Sequence, residues 1–148
     1  MKNATLMVMF SLVVGLSAGC AEWDAGAYMP ATFTTDYAKI ASCAKSPTHG
    51  AMYVETYVQK DQEQAWKDGT VPYKKGTVFA KIGYDDSACA DASGKHWAMR
   101  KTADEIGKWE WQMLDGDGVI EDEGQVSMCS GCHSAKAYVA NDWVATTP

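Results

Sequence analysis

The chain reads Cys129-Ser130-Gly131-Cys132-His133, with 15 residues after it. This is C-x-x-C-H, the attachment pattern of c-type haem. Two thiols three positions apart can form thioethers with the two haem vinyl groups. The imidazole next in sequence then lies under the iron as an axial ligand. The expected cofactor is one covalent haem c, bound by Cys129 and Cys132, with His133 on the iron. Two rival readings use the same residues. A thiol redox pair does not require the histidine. A zinc site needs a fourth ligand, for which His49 and His96 are candidates, and there is no second paired motif.

Lys2 is the only charge before the apolar run Leu6 to Leu16. Eleven residues are too few to span a bilayer but suit a signal-peptide core. Ser17, Ala18, Gly19 and Cys20 follow. Residues 1–19 are therefore read as a signal peptide and 20–148 as one domain, exported to the periplasm. Lipidation at Cys20 would be the chain's only membrane attachment; ordinary cleavage after Ala21 is the alternative. If a lipid takes Cys20, Cys43 and Cys89 remain as an even pair in an oxidising compartment. A disulfide between them is expected, against two small buried thiols.

The formal net charge is −6 and no basic run exists, so a nucleic-acid partner is excluded. Six Trp, seven Tyr and three Phe suit an apolar pocket or a small aromatic core.

Residues 36–45 predict a short helix, with Tyr37, Ile40, Ala41 and Ala44 at helical spacing and Asp36 as cap. Alternation predicts strands over 52–58, 77–84 and 108–114, with a fourth over 96–101. A helical turn or two is expected over 61–67. The run 115–123 reads as a solvated acidic loop, because Val119 and Ile120 do not fit a calcium loop. A short C-terminal helix is expected over 134–144.

No methionine follows Met128, so a downstream methionine cannot be the sixth iron ligand. Met52, Met99, Met113, His49 and His96 remain as upstream candidates, against core packing for the methionines and hydrogen bonding for the histidines. The alternating segments contradict a four-helix bundle. The expected fold is α+β, mainly antiparallel sheet with short helices, carrying haem c on a C-terminal helix.

Several short segments stand in order along the chain: Ala65-Trp66-Lys67, Gly76-Thr77-Val78-Phe79-Ala80-Lys81, Gly107-Lys108-Trp109-Glu110-Trp111, the C-x-x-C-H motif and Asp142-Trp143-Val144. From about Cys43 onward the sequence resembles the cytochrome P-460 family, which includes the β-sheet cytochromes c′. The resemblance implies an antiparallel sheet, a homodimer, a soluble redox partner and a haem iron open on its distal side. It implies a small nitrogen species as ligand or substrate. One branch oxidises hydroxylamine and carries a lysine cross-linked to the haem edge. The other lacks the cross-link and binds nitric oxide. Lys81 matches the cross-linking position, and an edge-strand lysine in solvent is the alternative. Alternation places Phe79 on the same face, as a candidate wall of the distal pocket. Ile82 departs from the acidic residue often found there. A proton-accepting carboxylate is expected just before the motif, where Glu121, Glu123 and Gln125 lie. Three functions follow: a haem oxidoreductase, a gas-binding haem protein, or an electron carrier with six-coordinate haem.

Overall fold

The computed structural model describes residues 23–90, 92 and 94–148 of the protein. The expected signal peptide and Cys20 lie outside these residues. Six strands form one antiparallel sheet in sequence order: β1 (Tyr37–Lys45), β2 (Tyr53–Gln59), β3 (Val78–Tyr84), β4 (His96–Lys101), β5 (Trp109–Leu114) and β6 (Ile120–Gly124). Four short helices accompany it: α1 (Phe33–Asp36), α2 (Glu63–Lys67), α3 (Ser127–His133) and α4 (Lys136–Val139). The fold is thus α+β and mainly antiparallel sheet. Among the described residues, no helix is long and apolar enough to cross a membrane.

Antiparallel neighbours share a face, so the register assigns side chains directly. One row runs Thr56, Lys81, Trp97, Met113; the next runs Val58, Phe79, Met99, Trp111. The opposite face carries Tyr57, Ala80, Ala98 and Gln112. Both faces of β3 are covered. Trp23, Tyr28, Phe33 and the fully buried Met29 pack on the second face. The Gln112 side chain fastens that cover: its Oε1 accepts from Tyr28 N at 2.7 Å, and its Nε2 donates to Gly26 O at 2.9 Å. The first face packs against Trp66, Tyr73, Val126 and Val144. A side chain as large as Trp109, 1% exposed, contributes roughly 2–3 kcal/mol by leaving water.

Three expectations are corrected. Residues 37–45 form β1, not a helix. Its pairing with β2 shifts between Lys39 and Ala41 and again between Ala41 and Ala44. Each irregularity resets the alternation, so apolar residues recur at spacings of three that imitate a helix. Residues 120–124 form β6 within the expected loop. It is an acidic edge strand, and charge suits an edge that must not pair further. The expected helix over 134–144 is also replaced. The helix carrying the cysteine motif ends at His133, and α4 covers only Lys136–Val139. Asp142 and Trp143 then take left-handed φ values of 53° and 68°.

Cys43 and Cys89 are joined by a disulfide. It ties β1, rather than a helix, to the loop after β3.

Candidate functional site

Helix α3 explains the spacing of its three functional groups. Positions i, i+3 and i+4 lie on one helical face, and these are Cys129, Cys132 and His133. All three line one cleft between α3 and the first face of the sheet, as do Phe79 and Lys81. The cleft holds about 710 Å³ of atom-free space, part of it open to solvent. Cys129, Cys132, His133, Phe79 and Lys81 are therefore brought to a single cavity.

His133 is nearly buried, and its Nδ1 lies 2.8 Å from the carbonyl oxygen of Trp143. A carbonyl only accepts, so Nδ1 carries the proton and Nε2 keeps its lone pair. Burial lowers the His133 pKa; the Trp143 carbonyl partly offsets this, and the Lys81 charge adds to it. The ring is thus a neutral, oriented imidazole at ordinary pH. Trp111 packs against it with ring centroids 4.6 Å apart.

Asp142 holds the tail that supplies this carbonyl. Its carboxylate is completely buried and accepts from Tyr73 N at 3.0 Å, Gly107 N at 2.7 Å and the Lys101 ammonium at 2.6 Å. Its carbonyl accepts from Trp109 Nε1 at 2.8 Å. These bonds offset the backbone strain of two successive left-handed residues. Sequence reasoning missed this clamp, because its partners lie 33 to 69 positions away.

Phe79 forms an aromatic wall, edge-on to Tyr73 at 5.0 Å and to Trp109 at 6.0 Å. Lys81 stands between Thr56 and Trp97 on the third of six strands. The edge-strand reading of Lys81 is therefore corrected. Burial lowers its pKa, opposed by Cys132. No ion pair or hydrogen bond engages its amine among the described residues. The three candidates for a proton-accepting carboxylate or its substitute point elsewhere. Glu121 pairs with Lys95 at 2.6 Å, Glu123 accepts from Gln112, and Gln125 donates to Trp109 O. No carboxylate appears among the described residues lining the cleft.

The residues present fit a covalent haem c. Two free thiols and an imidazole with an available Nε2 face an aromatic cleft. The indole N–H of Trp111 is buried there with no hydrogen-bond partner. The rivals fit less well. Among the described residues, no three His, Cys, Asp or Glu side chains converge as a metal ion would require. A redox pair needs a thiol of lowered pKa, whereas burial pushes Cys129 up to about 11. Comparison with protein-family models, with curated proteins and with solved structures finds no match for this chain.

Proposed function

We propose that this chain is an exported monohaem c-type cytochrome that binds, or does redox chemistry on, a small nitrogen species such as nitric oxide or hydroxylamine. Cys129 and Cys132 would hold the haem and His133 Nε2 the iron. The observation that carries this reading is the Nδ1 contact to Trp143 O, on a helix whose cysteines face the same cleft. When bound, haem c supplies one-electron redox chemistry and an axial site for small ligands. Phe79 and Trp111 keep the cleft apolar, and Lys81 lines the same cleft. Hydroxylamine oxidation must release protons, and none of the described residues lining the cleft is a carboxylate, so ligand binding is put first here. A soluble redox partner, a homodimeric state and a periplasmic location accompany this reading.

Expression of the full chain in a host that matures c-type cytochromes tests it. Haem should remain on the polypeptide after denaturing acid extraction, and the peptide spanning Cys129–Cys132 should gain its mass. Freely extracted haem, or zinc in its place, would refute the reading.

A further inference from the structure

Across the cleft from His133 stands a second imidazole. His49 lies in the turn between β1 and β2 and lines the same cavity. Its ring centroid is 6.4 Å from that of His133, with the planes at 79°. Two imidazoles on opposite sides of one metal, each bonded at about 2.0 Å, have centroids roughly 6 Å apart. The turn holds His49 firmly. Ser46 N donates to Met52 O at 2.8 Å, and Met52 N to His49 O at 3.2 Å. The Nδ1 of His49 is engaged by Ser46 Oγ at 2.8 Å and Thr48 Oγ1 at 3.3 Å. Nε2 has no hydrogen-bond partner among the described residues. Hydroxyls accept as readily as they donate, so Nδ1 can carry the proton and leave the Nε2 lone pair free. His49 and His133 thus share one design: Nδ1 tied back to the protein, Nε2 left for a ligand, both rings on one cavity. The ring of Trp97, 4.9 Å from that of His49, closes its flank.

The other upstream candidates are less well placed. His96 lies on the far face, stacked on Trp23. Met52 and Met113 line a neighbouring cleft. Met99 lines the cavity but packs into the core with Phe79 and Trp111.

We propose that His49 is the second axial ligand of the haem iron, so that the resting site is six-coordinate and an external ligand must displace His49 to enter. This rests on the haem reading and changes its chemistry. The distal side is closed by an exchangeable group instead of standing open. The ligand sits on a turn rather than on a strand, so it can leave without breaking the sheet.

The test uses the full, haem-loaded chain. The ferric wild type should be low-spin with a two-imidazole electron paramagnetic resonance signature. His49→Ala should convert it to high-spin, and added imidazole should restore the low-spin spectrum. Ferrous His49→Ala should bind carbon monoxide at least about tenfold faster or tighter than wild type, because the free-site fraction no longer limits binding. Met99→Leu should leave the spectrum unchanged. A high-spin wild type that His49→Ala does not alter would overturn the proposal and leave the haem reading standing. So would a low-spin signal abolished by Met99→Leu alone. Absence of covalent haem would overturn both. If His49→Ala does not accumulate, His49→Gln gives the same readout, and the wild-type resonance spectrum decides without any variant.

Discussion

Lys101 and Asp142 meet where neither side chain has any exposure: the ammonium lies 2.6 Å from one carboxylate oxygen and 2.5 Å from the other. The pair joins the end of β4 to the tail that presents the Trp143 carbonyl to His133. It stands in the protein interior, yet it acts on the cleft through the backbone.

Removing one partner would strand a buried charge. Asp142→Asn or Lys101→Met should cost about 3–5 kcal/mol, read from urea unfolding. The double change Lys101→Met/Asp142→Asn should cost less than either alone, because neither charge is left unpaired and the amide oxygen can still accept from Gly107 N or Tyr73 N. Equal costs for all three variants would show that packing, not charge, sets the penalty.

Glu55 gives stability a measurable acid limb. Burial pushes its pKa up, but hydrogen bonds from Lys39, Tyr57 and Tyr84 outweigh this and hold it below the ordinary 4.5. The folded state therefore binds this proton less readily than the unfolded chain. The stabilisation is present above about pH 4.5 and is lost as pH falls through the lower folded value. Glu55→Gln should flatten the fall in melting temperature over that window; an unchanged slope would assign the acid limb to other groups.

The Cys43–Cys89 disulfide closes a loop with a sequence separation of 46. In the chain-entropy account its loss destabilises by about 4 kcal/mol. A Cys43→Ala/Cys89→Ala chain should melt well below the parent. In haem-free protein, unfolded without reductant, label should enter Cys129 and Cys132 but neither Cys43 nor Cys89.

Among the described residues the Lys81 amine has no ion-pair or hydrogen-bond partner, and it stands in a cleft lined by aromatic rings. Lys81→Met keeps the packing of the stem and removes the charge, so the haem-free chain should gain about 1 kcal/mol. Urea unfolding at neutral pH reads this directly. A loss would mean that the amine has a favourable partner in solution.

Local signals were legible and distant ones were not. The strands at 53–59, 78–84, 96–101 and 109–114 announce themselves through β-branched and aromatic residues that alternate between the two faces of the sheet. The same alternation puts Phe79 beside Lys81 without reference to any partner strand. Cys129, Cys132 and His133 are legible because one helical turn brings them together. β1 misleads because its irregular pairing with β2 breaks the period of two. β6 is hidden because Glu121, Asp122 and Glu123 on a solvent edge look like a loop. Asp142 could be quoted from the sequence but not understood, since Lys101, Tyr73 and Gly107 meet it only after folding. His49 is one of five upstream candidates, and only the folded chain brings its ring within 6.4 Å of that of His133.

Cys43 and Cys89 sit on β1 and just past β3, and β2 pairs with both strands, so the sheet alone brings these two sulfurs together without help from the C-terminal segment. Cys129 and Cys132 sit on α3, a separate element, and line the cleft as free thiols. The fold thus divides its described cysteines between two jobs: one couple braces the sheet, and the other stays available at the cleft wall.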